Sequence, residues 1–357
     1  MVQWLYCMIL LPRFLHASVV WWIRSQLKTV KLKLGQLQAM VFRGVTGGMR
    51  TMPSSALGFF LAEKPLHILT VNKAALTMIR LQAQGKWKAR EKHTKFPASI
   101  LNIPEINMGQ DRMVKRVKFK PRFKTIIPSR KDWEKGCPLG CELWFTDGSK
   151  MERGTDLGVY CKSNATKVTL SLGHYTTVWQ AEVCAVMTCA MICLEKGKSS
   201  KRINICVDSQ AALNALRNPT IESKLVLECR KVLDEIGLKN KLSLIWVPGH
   251  SGIRGNEEAD TLARRGSEMT MIGPEPAVVI MPSAVKGAIE RWSRRCHERV
   301  GGDYCTTSGK PCPCCKAGSQ MGTFVSERER VRADVTMLCK WVTSARYVHV
   351  HVQTCPL

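Results

Sequence analysis

Leu143-Trp144-Phe145-Thr146-Asp147-Gly148-Ser149 is the most informative run in this sequence. Leu143 to Thr146 are apolar or β-branched and read as a buried strand, and an acid followed by glycine closes it. Downstream, Leu157 to Cys161 and Lys167 to Leu172 alternate like the next two strands of a meander. Val178 to Leu194 is an apolar helix stopped by Gly197. A strand at Ile203 to Val207, a short helix from Ser209 to Leu216 and a helix from Glu222 to Ile236 come next. A strand from Leu242 to Val247 and a last helix from about Asn256 complete the set. Three strands, then helices alternating with strands, predict an α/β fold. The expected core is a five-stranded mixed sheet, with three antiparallel strands followed by parallel ones, flanked by helices.

The chain has 357 residues, enough for about two or three domains at roughly 100–200 residues each. Its net charge of +26 is too large for an ordinary soluble enzyme and points to a polyanionic partner, nucleic acid or an acidic membrane surface. That charge is unevenly spread. Residues 141–268 hold 17 Lys and Arg against 15 Asp and Glu, whereas the flanks hold 37 against 13. The middle segment therefore keeps carboxylates, and the basic flanks supply adhesion to phosphate.

Sixteen cysteines scattered over a long chain read as reduced thiols rather than a disulfide scaffold. The run Trp4 to Leu11 resembles the apolar part of a signal peptide, yet no basic segment precedes it, and Pro12 and Arg13 interrupt it. Extended to Trp22 it still contains Arg13 and His16, so it offers no uncharged apolar run of about 20 residues to span a bilayer. A buried helical segment is expected there, and no membrane partner.

Residues 1–90 read as helical. Leu27, Val30, Leu34, Leu37 and Val41 recur at steps of three and four and are expected to form one core stripe. Gly44, Gly47 and Gly48 break the pattern, Pro53-Ser54-Ser55 offers a helix start, and Pro65 opens a further apolar segment through Leu81. Residues 91–140 read as a basic linker, with ten basic residues between Arg112 and Lys135 against Asp132 and Glu134. Within it, Arg116-Val117-Lys118-Phe119-Lys120 alternates. It fits an edge strand, an extended segment along a phosphate backbone, or a solvated tether.

Four acids stand in unusual places. Asp147 and Asp208 each follow an apolar strand, and in an α/β sheet such ends line the functional crevice. Glu182 lies one turn into an otherwise apolar helix, and Asp260 lies in the helix after Gly249-His250-Ser251-Gly252. Carboxylates set among buried side chains need a partner. With no matched bases beside them, the economical partner is a divalent cation with a preference for oxygen, Mg2+ first and Mn2+ as a substitute. Two such ions can activate water and stabilise the leaving oxygen in phosphodiester hydrolysis. The bland alternative, helix caps and surface charges, suits Asp208 alone, which could cap the helix at Ser209.

The strings Trp144-Phe145-Thr146-Asp147-Gly148-Ser149, Ala181-Glu182, Val207-Asp208-Ser209-Gln210, Trp246-Val247-Pro248-Gly249-His250 and Gly255-Asn256-Glu257-Glu258-Ala259-Asp260 resemble, in order and spacing, the type 1 ribonuclease H family. The resemblance implies a ribonuclease H-like fold, cleavage of the RNA strand of RNA–DNA hybrids, and Asp147, Glu182, Asp208 and Asp260 as the ligands of two Mg2+ ions. It also implies that His250, on a loop made flexible by Gly249, Gly252 and Gly255, assists proton movement or product release. Gly148, Ser149 and Gln210 would contact the nucleic acid, whose 2′-hydroxyls distinguish RNA from DNA. Trp179 and Gln180 are adjacent candidates, although a core or helix-start role suits Trp179 as well. A catalytically inactive, nucleic-acid-binding remnant is the alternative.

The flanks narrow the resemblance. Ser18-Val19-Val20-Trp21-Trp22, Leu37-Gln38 and Gly44-Val45-Thr46-Gly47-Gly48-Met49-Arg50-Thr51-Met52-Pro53-Ser54-Ser55-Ala56-Leu57 look like the segment after the reverse transcriptase palm in jockey-like non-LTR retrotransposon polyproteins. This implies that residues 1–90 are a thumb-like remnant with such a palm as a partner. No Asp-Asp pair occurs, so the chain is not expected to polymerise DNA. Residues 269–357 form a basic, Cys-containing tail expected to be poorly ordered. Cys296, His297, Cys305, Cys312, Cys314 and Cys315 fit a zinc knuckle, loose cysteines or out-of-frame sequence.

Overall fold

The computed structural model describes residues 2–87, 95–118, 120–133, 140–164, 166–197, 199–269 and 271–307. Its helices begin with the short turns α1 (Val2–Leu5), α2 (Leu11–Phe14) and α3 (Ser18–Trp21), followed by α4 (Lys28–Thr46), α5 (Ser54–Phe60) and α6 (Leu66–Ala83). The turns α7 (Ala98–Leu101) and α8 (Pro104–Asn107) precede β1 (Val117–Lys118) and β2 (Lys124–Ile126). Then come β3 (Glu142–Met151), β4 (Gly154–Cys161), β5 (Thr166–Ser171), α9 (Val178–Glu195), β6 (Arg202–Val207), α10 (Gln210–Arg217) and β7 (Thr220–Ile221). The set closes with α11 (Lys224–Lys239), β8 (Lys241–Trp246), α12 (Arg254–Arg265) and α13 (Pro282–Thr307).

The mixed α/β sheet has the order β2-β8-β6-β3-β4-β5. β3, β4 and β5 pair antiparallel, and β6 and β8 continue in parallel from β3. The five strands read from the sequence are all there, in the expected sense. A sixth, β2, comes from the stretch read as a basic linker and pairs in parallel with β8 through Thr125 opposite Leu244. The alternating run at 116–120 resolves into β1, antiparallel to β7 with Val117 opposite Ile221. Phe119 lies outside the described residues.

Helices cover both faces of β3, which is why its apolar residues run on without alternating. Trp144 packs with α9 and α11 in the main core, and Phe145 faces a second cluster with Ile245, Val247 and Ala259. α9 is long and apolar enough to cross a membrane, but Ala181, Val183, Ala185, Val186 and Cys189 are wholly buried against the sheet, as befits a core helix.

One correction concerns β3. The sequence places Asp147 just past the strand, whereas the strand continues to Met151, because Asp147, Gly148 and Ser149 pair with Gly158, Leu157 and Asp156 of β4. Cross-strand pairing outweighs the weak strand propensity of glycine.

The amino-terminal helices differ more from expectation. α4 buries Leu34, but Leu27 and Leu37 are exposed, while Gln38 is buried. Gln38 Nε2 donates to Tyr6 Oη and Lys64 O, and Leu66 N donates to Gln38 Oε1. Leu34, with Val30 and Val41 partly buried beside it, packs against Tyr6, Phe42, Leu57 and Leu66, so the expected stripe is kept at its centre and lost at Leu27 and Leu37. In the same way the run from Trp4 is helical, yet only Tyr6 within it is buried.

A further core joins both flanks. Val71, Ala74, Ala75 and Met78 of α6 pack with Ile100, Ile103 and Ile106 and with Ile280, Val285, Ala288 and Ile289. The tail, expected to lack order, thus begins with a segment built into this core. Of the zinc-knuckle candidates, Cys312, Cys314 and Cys315 lie outside the described residues.

Candidate active site

The acids are positioned by backbone contacts that only small residues permit. A Cβ on Gly148 would stand 2.6 Å from Glu182 N and 2.8 Å from Ala181 Cβ, so glycine lets the first turn of α9 lie directly on β3. That turn starts at a fixed point: Thr177 accepts from Gln180 N while the Gln180 side chain accepts from Thr177 N, a reciprocal cap. Gln180 is wholly buried, and its Nε2 donates to Val279 O at 2.6 Å. It therefore fixes the helix start and is unavailable to a ligand. Trp179 is half-buried against the main core.

Asp208 follows β6. Ser209, not Asp208, caps α10 by accepting from Ala212 N, which leaves the Asp208 carboxylate free of that duty. Trp246 Nε1 donates to Asp208 O at 2.9 Å, and Gly249 stands so close that a Cβ would lie 3.1 Å from Asp208 Oδ2. On the other side of β3, Gly158 admits the backbone of α12 at Ala259 and Ala263, which brings Asp260 into the same neighbourhood.

One oxygen each of Asp147, Glu182 and Asp208 lies within 4.8 Å of the other two. Asp147 and Glu182 are buried and Asp208 is half-buried. Burial, and then the charge of Asp208, pushes the Glu182 carboxyl up to about 10, against a hydrogen bond from the Gly148 backbone. Burial and the charges of Asp208 and Asp260 raise Asp147 to about 7, with Arg264 and Gly148 opposing. Asp208 is raised by burial, offset by Asn256 and by the charge of His250. Glu182 Oε2 is buried with no hydrogen-bond partner. A pocket of converging hard oxygen donors, short of positive charge and with one donor orphaned, fits a divalent cation such as Mg2+ or Mn2+.

Asp260 stands outside that cluster. Its Oδ1 accepts from Arg264 Nε at 2.8 Å, one turn along α12, although its field still reaches Asp147 and Asp208. His250 is exposed on the β8–α12 loop with a left-handed φ of 49°, near enough to Asp208 to act on its charge. Ser149 is half-buried beside Gly148 on β3, and Gln210 is exposed at the first turn of α10.

Three contributors escaped the sequence reading. Asn256 is buried, with its Nδ2 3.5 Å from Asp208 Oδ2; it lay within a quoted string without a role of its own. Gly158 gave no signal, since its value lies in the helix that crosses it. Arg264 was detectable, because an acid and a base four apart on a helix meet.

Residues 141–268 match the family described as RNase H. The match supports a ribonuclease H domain over this stretch, hydrolase activity of the nuclease kind, binding of nucleic acid such as RNA–DNA hybrids, and the use of divalent metal general in that family.

Proposed function

We propose that the chain is an endoribonuclease that hydrolyses the RNA strand of RNA–DNA hybrids using two divalent cations, Mg2+ or Mn2+, held by Asp147, Glu182, Asp208 and Asp260. What supports this reading is one observation above all: three carboxylates from β3, α9 and the end of β6 converge within 4.8 Å, two of them buried and Asp208 half-buried, with Glu182 Oε2 unpartnered. A protein does not gather carboxyl groups in such a pocket without gain, because ionising an unpaired buried group costs several kcal/mol.

Divalent cations bound there would polarise the scissile phosphate and ease deprotonation of the attacking water. The rest falls to the protein. Gly148 backs the carboxylates and, with Ser149 and Gln210, borders the path of the nucleic acid. Asn256 and Trp246 keep Asp208 in place. His250, exposed beside Asp208, is placed to receive or release a proton at its imidazole as the product leaves. The basic flanks hold further phosphates. In origin we read the chain as the part of a jockey-like retrotransposon polyprotein that follows the polymerase palm, with residues 1–90 the thumb-like remnant.

The test is cleavage of a labelled RNA–DNA hybrid by the full chain with Mg2+. Asp208→Asn should lower cutting by about a thousandfold or more while the circular dichroism spectrum and hybrid affinity stay unchanged. Wild-type protein that binds hybrid but does not cut it would instead make the chain an inactive nucleic-acid-binding remnant.

A further inference from the structure

The proposed ligands are not equivalent. Asp147, Glu182 and Asp208 already share a pocket, whereas Asp260 is engaged by Arg264 at 2.8 Å. The Asp260 side chain is 21% exposed and that of Arg264 is 55% exposed, so the acid faces inward while the base sits at the rim. The guanidinium must leave these carboxylate oxygens before an ion can take them. α12 crosses the sheet at Gly158, the residue opposite Asp147 on β4, and the charges of both partners act on Asp147.

We infer that Arg264 holds Asp260 in reserve, so that a second divalent cation enters only by displacing this guanidinium. Arg264 is then a positioning residue whose main effect falls on the affinity for the second ion. The inference rests on the three-carboxylate pocket taking a cation, as proposed above. Its logic is competition for a single carboxylate: the guanidinium and the ion need the same oxygens, and an exposed pair four residues apart on a helix is weak enough for an ion to break. Such a pair should tax the second ion about 3–10-fold. Arg265, next in sequence, supplies an internal control, because its charge acts on Glu258.

The experiment is titration of the full chain with Mn2+, following free Mn2+ by electron paramagnetic resonance and heat by calorimetry, for wild type, Arg264→Gln, Arg265→Gln and Asp260→Asn. Circular dichroism checks the fold of each. Wild type should bind one ion tightly and a second more weakly. Arg264→Gln should tighten the second ion about 3–10-fold and the first by less, Arg265→Gln should alter neither, and Asp260→Asn should leave one ion only. Equal shifts in the two arginine variants, an unchanged second ion in Arg264→Gln, or two ions in Asp260→Asn would each overturn the inference while leaving the three-carboxylate site intact. Wild-type protein that takes up no Mn2+ at all would overturn that site along with it.

Discussion

Around Asp147, Glu182 and Asp208 the fold buries like charges and leaves an oxygen orphaned, whereas the cluster shared by α6, α7, α8 and α13 packs apolar side chains. The ion pairs of that second region, Lys64 with Glu290 and Arg291 with Glu105, lie at its margin with at least one partner well exposed. The first arrangement costs stability and the second supplies it. Their contrast separates a site built for chemistry from a core built for cohesion, and neutralising an acid of the first should move stability in the opposite direction from removing apolar side chains of the second.

The largest effect is expected from deleting residues 280–357. This removes Ile280, Val285, Ala288 and Ile289 from the flank core, and each buried Ile or Val contributes about 1.5–3 kcal/mol. Amide hydrogen exchange should show α6 losing protection while β6 keeps it. Continued protection of α6 would mean that the amino-terminal helices close their core unaided.

A smaller loss is expected for Gly148→Ala, whose Cβ collides with the first turn of α9. Chemical denaturation should register a drop of about 1–3 kcal/mol, and hybrid cutting should fall because Glu182 is displaced. Wild-type stability in this variant would show that α9 can lift off β3 freely.

The smallest change has the opposite sign. Asp147 is raised from 3.8 to about 7, chiefly by burial, so between those values the folded state holds a proton that the unfolded state has lost. Stability of the metal-free protein therefore falls as pH rises across that window, and the penalty is complete above about pH 7. The full shift corresponds to roughly 4 kcal/mol; with relaxation and water entry lowering the penalty, Asp147→Asn should stabilise the metal-free protein at pH 8 by about 1–2 kcal/mol and make no difference below pH 4, where wild type is protonated too. Mg2+ should stabilise wild type more than the variant. A variant less stable than wild type at pH 8 would contradict the reading of Asp147 as a costly buried charge.

Much of the sheet block could be read directly because its signals are local. Trp144 and Phe145 are buried on both faces, Gly197 stops α9 with a positive φ of 58°, Ser209 caps α10 where the sequence suggests a start, and Ser223 caps α11 one residue after the start read at Glu222. The approach of Asp147, Glu182 and Asp208 could be anticipated from their order along the chain. The reserve position of Asp260 could not, because it depends on which of two partners, an ion or a guanidinium, wins the carboxylate. The packing of the flanks is hidden for a different reason. Gln38 is buried by groups from Tyr6, Lys64 and Leu66, and the α6 core is completed by residues about 200 positions downstream, so no window of sequence contains the pattern.

Val279 O accepts the amide of Gln180, the residue that closes the cap of α9 two positions before Glu182. Withdrawing that carbonyl would strand a wholly buried donor, at about 1–3 kcal/mol, and would loosen the very turn that aims Glu182. A copy of this chain cut or misdocked after residue 269 would therefore register the damage at its carboxylates, which makes an intact carboxyl-terminal flank a quality check on the acidic site.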